Sequence, residues 1–217
     1  MKKFKSLILD MDGTLLDSMS VWTQLGRRYL KSKGIAITEE MYEKLKPISV
    51  EAAADLFKAT YGFQEETQQI VAEIYALIEM EYRKEVVLKP GAEAFLRTEY
   101  EKGTKLCVAT ATAKYLALAA LERLDVVRYL EFIIDEEEAG RGKKYPDIYE
   151  QALERLGSQK EETAVFEDAP YAMRTAKAAG FYTVGVAEET AGQEEARTLA
   201  ICDCFIDNFE VWISNSR

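Results

Sequence analysis

Two carboxylates, one residue apart, close an apolar run near the start of the chain. The run Leu7–Leu9 leads into Asp10 and Asp12, and Gly13 follows at once. Residues two apart in a strand face the same side, so these anions would repel each other unless a cation or a phosphoryl group lay between them. Gly13 lets the backbone leave the extended form immediately afterwards. The pattern predicts that Asp10 lies at the carboxyl end of a buried strand, where open α/β sheets bind ligands.

A hairpin with an Asp-Gly turn is the alternative interpretation of this run. It requires a return strand directly after the turn. Residues 16–33 instead carry a helical pattern of apolar side chains, which favours a strand that ends at a ligand site.

Further polar residues close later apolar runs or precede a helix. Thr110 and the pair Glu167-Asp168 each end an apolar run, and Lys143 lies just before a predicted helix. Singly, each could be a helix cap or a solvated charge. Together they bring acids, a hydroxyl and a cation to one edge of one sheet. This set suits phosphoryl transfer to a carboxylate, with Mg²⁺ held by the acids and the phosphoryl oxygens held by Lys and hydroxyl groups.

The composition excludes several classes of function. A formal net charge of −10 disfavours binding to nucleic acid. The chain has no histidine, which removes Ser-His-Asp and Cys-His nucleophiles and His metal sites. Cys107, Cys202 and Cys204 are expected to be free thiols rather than zinc ligands.

No apolar run is long enough to span a membrane. We therefore expect a cytoplasmic protein with no membrane partner. We also expect the protein to be a monomer or a weak dimer.

Short apolar runs that alternate with helical patterns indicate an α/β fold. The runs are continuous rather than alternating in polarity, which suits a parallel sheet covered on both faces. Helical patterns at 145–156 and 169–180 separate the later runs. We therefore predict a Rossmann-like three-layer α/β/α core. The predicted strands are 4–10, 104–110, 131–135, 163–168, 181–187 and 203–206.

The stretch 16–87 interrupts this alternation. It contains no convincing strand, and its apolar residues recur with a helical period. A connection of this length is too long for a loop within one compact domain. We predict an all-helical cap domain at 16–87, inserted into a catalytic core made of 1–15 and 88–217.

The order of these motifs resembles the haloacid dehalogenase superfamily. The matching segments are DMDGTLLDS, GKKYPDIY and FEDAPYAMRTAKAAG, and the resemblance covers essentially the whole chain. The helical insertion after the first motif is similar to the cap class that includes β-phosphoglucomutase and many small-molecule phosphatases.

The resemblance implies a role for each acidic position. Asp10 would be the nucleophile that forms an aspartyl-phosphate. Asp12 would protonate the leaving oxygen and then activate water, for which its surroundings should raise its pKa. Mg²⁺ would be held by Asp10, the Asp12 carbonyl and Asp168, with Glu167 helping directly or through water.

The resemblance also implies a phosphate-binding set. Thr110 and the backbone around Ala111 would bind phosphoryl oxygens, and Lys143 would bridge the nucleophile and the phosphate. Lys144 is the rival lysine. We prefer Lys143 because it lies three residues before Pro146, as in the family pattern.

The expected activity is hydrolysis of a small phosphorylated metabolite, such as a sugar phosphate or a nucleotide-like ester. Asp12 disfavours a dehalogenase. A β-phosphoglucomutase-type mutase is the alternative, but Pro47 and Val50 stand where that pattern has Gly and a phosphate-gripping Arg, and the mutase histidine is missing near Trp22. Candidate substrate contacts in the cap and hinge are Ser18, Trp22, Lys46 and Val50.

Two non-catalytic functions are also compatible with parts of this pattern. Receiver domains combine an acid cluster with a Thr and a Lys, but their acceptor Asp lies on a later strand and they have no helical cap. A protein that only binds phosphorylated ligands would not need every catalytic position, and this chain retains them all.

Overall fold

The computed structural model describes residues 3–45, 48–188 and 200–215. The chain divides into two compact units. The larger unit comprises Met1–Ser18 and Val86–Arg217, and the smaller unit is Met19–Glu85. In the described ranges, no helix is both long enough and apolar enough to cross a membrane.

A parallel sheet forms the centre of the larger unit, and six strands of it lie in the described part of the chain. The strands are β1 (Ser6–Leu9), β4 (Lys105–Thr110), β5 (Phe132–Asp135), β6 (Thr163–Glu167), β7 (Tyr182–Val186) and β8 (Cys204–Ile206). Their order in the sheet is β5-β4-β1-β6-β7-β8, and each neighbouring pair is parallel. The carboxyl ends of all these strands therefore share one edge of the sheet.

Helices cover both faces of this sheet. The helices of this unit are α5 (Ala92–Glu101), α6 (Lys114–Arg123), α7 (Glu136–Ala139), α8 (Asp147–Leu156), α9 (Pro170–Ala178) and α10 (Phe209–Asn215). On one face, Ile8 and Val165 pack in a cluster with Ile148 of α8 and Ala176 of α9. On the other face, the ring of Phe166 contacts aromatic rings of α5 and α10. Because neighbouring strand residues point to opposite faces, both faces of β6 are buried.

The predicted α/β/α fold class is confirmed. Each predicted strand is present and loses one or a few residues at its ends. The apolar interiors of β1, β4 and β6 have one structural explanation: strands covered on both faces have no solvent side on which polar residues could alternate.

A short antiparallel pair lies where the chain leaves and re-enters the core. The strands β2 (Leu16–Asp17) and β3 (Val87–Leu88) pair with each other. The prediction of no strand within 16–87 is therefore wrong at both ends of that range. Two-residue strands contain too few positions to show a periodic pattern, so the sequence carried no signal for them.

The smaller unit is helical in its described residues. Its helices are α1 (Met19–Ser32), α2 (Glu39–Leu45), α3 (Val50–Tyr61) and α4 (Thr67–Lys84). Ser49 caps α3 by accepting a hydrogen bond from the Ala52 N–H at 3.3 Å. The rings of Tyr29 and Phe57 stack with their centroids 5.6 Å apart and form part of the core of this unit. A Cβ on Gly26 would meet the end of the Leu45 side chain, which would have to shift.

Candidate active site

The first carboxylate is positioned by the end of β1 and the turn after it. The Asp10 N–H donates to the Phe166 carbonyl at 2.9 Å, so its backbone still belongs to the sheet. The chain then turns. The N–H groups of Leu15 and Leu16 both donate to the Met11 carbonyl, at 2.9 and 2.8 Å, and Gly13 adopts a left-handed φ of 83° that favours glycine. The Asp10 side chain thereby stays at the carboxyl edge of the sheet.

Lys143 links the carboxylates of Asp10 and Glu167. Its ammonium contacts Asp10 Oδ1 and lies 2.6 Å from Glu167 Oε1. The Lys143 side chain is only 2% exposed. A buried charge is tolerated when it is paired and hydrogen-bonded, and Lys143 meets that condition through these two carboxylates. Lys144, the rival lysine, is exposed.

Asp10, Glu167 and Asp168 form a buried cluster of carboxylates. Each offers an oxygen that lies within 4.8 Å of the oxygens of the other two. Thr14 Oγ1 donates to Asp168 Oδ1 at 3.3 Å. The Oδ2 atom of Asp10 is buried and has no hydrogen-bond partner among the residues that the structure describes. An unpartnered buried oxygen beside two more carboxylates fits a hard divalent cation such as Mg²⁺.

The pKa values of these groups reflect their burial and their mutual charges. Burial, followed by the negative charge of Asp10, raises the pKa of Glu167 to about 7. Burial and the charges of Asp10 and Glu167 also raise the pKa of Asp168 well above its ordinary value. Burial alone would lower the pKa of Lys143, but the same two carboxylates raise it. The cluster thus carries excess negative charge, which a bound cation would offset.

Asp12 is held by two hydroxyl groups. Ser18 Oγ donates to Asp12 Oδ1 at 2.5 Å, and Thr112 Oγ1 donates to Asp12 Oδ2 at 2.6 Å. Ser18 and Thr112 are themselves buried. These two hydrogen bonds fix the orientation of the Asp12 carboxyl group.

The second strand end supplies a hydroxyl and a tight turn. Thr110, the last residue of β4, is 1% exposed, and its Oγ1 accepts a hydrogen bond from the Thr112 N–H at 3.0 Å. Ala111, between them, is exposed. In the sheet, β4 lies directly beside β1. Thr110 and Asp10 therefore end neighbouring strands at the same edge.

Comparisons with known proteins identify the family of the chain. Residues 4–180 match the family model of the haloacid dehalogenase-like hydrolases. The chain belongs to this family. It is 27% identical over 81% of its length to a phosphorylated carbohydrates phosphatase of Thermotoga maritima, covering 82% of that relative. It is 28% identical over 84% of its length to the validoxylamine A 7′-phosphate phosphatase of Streptomyces hygroscopicus subsp. limoneus, covering 85% of that relative.

Two further likenesses concern a different reaction. The β-phosphoglucomutase of Bacillus subtilis is 25% identical over 85% of this chain and 84% of its own length. A crystal structure of a Thermotoga maritima protein provisionally named β-phosphoglucomutase superposes with a TM-score of 0.86 at 24% identity, over 98% of both chains. At that identity the likeness establishes the fold.

Several contacts of this haloacid dehalogenase-like hydrolase were not predicted from the sequence. No catalytic role was predicted for Thr112, Thr14 or Tyr149, although Tyr149 OH donates to Glu167 Oε1 at 2.9 Å. Ser18 Oγ donates a hydrogen bond to Asp12, and the predicted contact of Ser18 with substrate stays a prediction. Only the position of Thr112, two residues after Thr110, could have drawn attention to it.

The remaining candidates belong to the smaller unit. Trp22 lies on α1, where its Nε1 donates to Tyr82 OH at 2.9 Å, and Val50 is the first residue of α3. Both are half-buried. Lys46 lies outside the described residues, as does Pro47. The substrate contacts of Trp22, Lys46 and Val50 stay predictions.

Proposed function

We propose that this hydrolase is a Mg²⁺-dependent phosphatase that cleaves small phosphorylated metabolites through an aspartyl-phosphate on Asp10. The observation that carries the proposal is the environment of Asp10. One of its oxygens contacts the Lys143 ammonium, and the other is buried without a hydrogen-bond partner in the described structure. The Lys143 ammonium therefore neutralises one oxygen of this carboxylate and leaves the other available to a cation or to phosphorus. The named phosphatases among the relatives support the same conclusion.

In the first step, an Asp10 oxygen attacks phosphorus and the bond between phosphorus and the ester oxygen breaks. The leaving oxygen takes a proton from Asp12, whose two hydroxyl partners fix the direction of its carboxyl group. Lys143 and the Thr110 hydroxyl hold the other phosphoryl oxygens. The products of this step are the alcohol and a phosphoryl group bonded to Asp10.

In the second step, water attacks phosphorus and the bond to Asp10 breaks. Asp12, now a carboxylate, takes a proton from that water. Inorganic phosphate leaves, and Asp10 and Asp12 return to their starting protonation states. Because Asp12 acts once as an acid and once as a base, the cycle needs no histidine.

The residues that would hold Mg²⁺ are Asp10, Glu167 and Asp168, together with the Asp12 carbonyl. When bound there, the ion would offset the repulsion between the Asp10 carboxylate and the substrate phosphate. Glu167 Oε1 already accepts hydrogen bonds from Lys143 and Tyr149. Its direct contact with the ion, or a contact through water, stays a prediction.

We propose that the smaller unit selects the substrate, as the cap does in the class that the sequence resembles. A phosphosugar mutase is the second candidate, because the likeness to the Bacillus subtilis β-phosphoglucomutase is an observation in its favour. Val50 and the absence of histidine favour hydrolysis, since Val50 stands where the mutase pattern has its phosphate-gripping Arg and the sequence contains no histidine. Conversion of β-glucose 1-phosphate to the 6-phosphate by the purified protein would reverse this preference.

The test is hydrolysis of p-nitrophenyl phosphate and a panel of sugar and nucleotide phosphates, with and without Mg²⁺. We expect Mg²⁺-dependent release of phosphate by the unmodified protein and none by Asp10→Asn. Asp17→Asn is the matched control, because Asp17 is an exposed acid of the nearby β2 strand. Folded wild-type protein that turns over nothing on the panel would contradict the proposal.

A further inference from the structure

The loop that carries Lys143 has no regular structure of its own. It joins the end of α7 at Ala139 to the start of α8 at Asp147. The Lys143 side chain is nevertheless buried and must place its ammonium between Asp10 and Glu167. A charged side chain delivered from an irregular loop needs its backbone fixed, since small displacements of a catalytic group are costly.

Glu136 supplies that fixation. Its Oε1 accepts a hydrogen bond from the Lys143 N–H at 2.7 Å. The same carboxylate lies over the preceding residue: a Cβ on Gly142 would be 3.0 Å from Oε1 and 3.1 Å from Oε2. The side chain that accepts the Lys143 N–H thus also occupies the space beside Gly142 in which a side chain would begin. A neutral acceptor would hold the loop less firmly, because hydrogen bonds to charged groups are the stronger ones.

Glu136 is itself anchored to the sheet. It is the first residue of α7, and Asp135 at the end of β5 caps that helix, with Oδ1 accepting the Glu138 N–H at 2.8 Å. Asp135 Oδ2 accepts the Lys114 N–H at 2.8 Å, at the start of α6. Glu136 therefore begins a helix that is capped from the end of β5, and its side chain reaches the backbone of Lys143.

We propose that Glu136 is a positioning residue for Lys143, which holds the lysine loop in the geometry needed for phosphoryl transfer. This inference rests on the proposed phosphatase function. Glu136 acts through the Lys143 backbone and does not touch the reacting atoms. Its substitution is therefore expected to lower kcat more than it raises KM. The reason is that the Lys143 ammonium stabilises the charge that develops on the phosphoryl oxygens during transfer.

The first variants separate positioning from general stabilisation of the fold. Glu136→Ala removes the acceptor, and we expect kcat to fall by about tenfold or more, as loss of a positioning contact does. Glu136→Gln keeps a carbonyl oxygen that can accept the Lys143 N–H, and we expect it to recover most of the rate. Glu137→Ala is the matched control, because Glu137 is an exposed acid in the same helix. If Glu136 only stabilised the fold, Glu136→Ala would lower the unfolding temperature, but the kcat values of the three variants would not follow this order.

A double-mutant cycle tests the geometry. Gly142 does not adopt a left-handed φ, so Gly142→Ala is compatible with its backbone and acts by pushing the Glu136 carboxylate away. We expect Gly142→Ala to lower kcat in the wild-type background and to have little further effect in Glu136→Ala. Multiplicative effects of the two substitutions would contradict the proposed contact.

Hydrogen exchange at the Lys143 amide tests the hydrogen bond between the Lys143 N–H and Glu136 without requiring catalytic turnover. We expect slow exchange in the wild type and in Glu136→Gln, and at least about tenfold faster exchange in Glu136→Ala, as for an amide that loses its hydrogen bond. If the wild type hydrolyses nothing, the proposed function fails, while this measurement still reports on the hydrogen bond between Lys143 and Glu136. Unchanged exchange in Glu136→Ala, or faster exchange with wild-type kcat, would overturn the inference.

Discussion

The Tyr149 hydroxyl donates to the same Glu167 oxygen that the Lys143 ammonium contacts, at 2.9 and 2.6 Å. Tyr149 is buried on α8, so the hydrogen bond reaches Glu167 from the core beneath the site. The position of this carboxylate is thus set from both sides. Burial, followed by the charge of Glu167, raises the pKa of Tyr149 well above its ordinary value, which keeps the hydroxyl a donor.

Tyr149→Phe should destabilise the protein while preserving the packed ring. A hydrogen bond from a buried hydroxyl to a charged group contributes about 1.5–3 kcal/mol, and we expect the free energy of unfolding in urea to fall by about that amount. Tyr115→Phe is the matched control, because Tyr115 is half exposed on α6. Equal losses in the two variants would show that the Tyr149–Glu167 hydrogen bond contributes nothing specific.

Thr112→Val should lower kcat by removing one of the two hydroxyl groups that orient Asp12. Positioned acid–base groups contribute at least about a hundredfold to rate, so partial loss of orientation should cost about tenfold. Thr112→Ser keeps the hydroxyl and should stay near the wild-type rate. Steady-state kinetics with a poor leaving group, such as an alkyl phosphate, checks this, because that reaction needs the proton most. Similar kcat values for Val and Ser variants would contradict the role given to Thr112.

Asp168→Asn should weaken Mg²⁺ binding more than it destabilises the fold. Removing one of three clustered carboxylates lowers the affinity for the ion, so a higher Mg²⁺ concentration should be needed for half-maximal activity. Mg²⁺ at a hundredfold excess over its Kd should stabilise the wild type by about 2.7 kcal/mol, and a chelator should reverse this. Asp207→Asn, at an exposed acid, is the control. An unchanged Mg²⁺ titration of Asp168→Asn would remove Asp168 from the metal site.

Asp203→Asn should change how the free energy of unfolding depends on pH. Burial alone would raise the pKa of Asp203, but contacts with Lys177 and Thr183 outweigh it and lower this pKa. The folded state therefore binds fewer protons than the unfolded state, and the stabilisation is present above the ordinary pKa of about 3.9 and is lost as the pH falls through the folded value. The free energies of unfolding of wild type and variant in urea should differ at neutral pH, and the difference should shrink as the pH falls below the ordinary pKa of an Asp side chain. A constant difference across this range would contradict the assignment.

The apolar runs of the sequence predicted the sheet because burial on both faces leaves a clear pattern. The acids, Thr110 and Lys143 could be predicted to converge, since they end or follow parallel strands whose carboxyl ends share one edge. The contact of Glu136 with the Lys143 backbone could not, because a carboxylate accepting a backbone N–H leaves no spacing rule in the sequence. The same holds for Thr112 and Asp12, which lie far apart in the chain and meet only through the pairing of β1 with β4.

The central claim is that phosphorus bonds to Asp10 during the reaction. The direct measurement is acid quenching within milliseconds of mixing with p-nitrophenyl phosphate and Mg²⁺, followed by mass spectrometry of the peptide that contains Asp10. This substrate needs little protonation of its leaving group, so Asp12→Asn should still form the phosphoenzyme and accumulate it, because the step that activates water is lost. We predict one phosphoryl group on Asp10 in the wild type and more in Asp12→Asn, with none in Asp10→Asn. Rapid turnover by the wild type with no phosphoryl group on Asp10 in either protein would contradict the account.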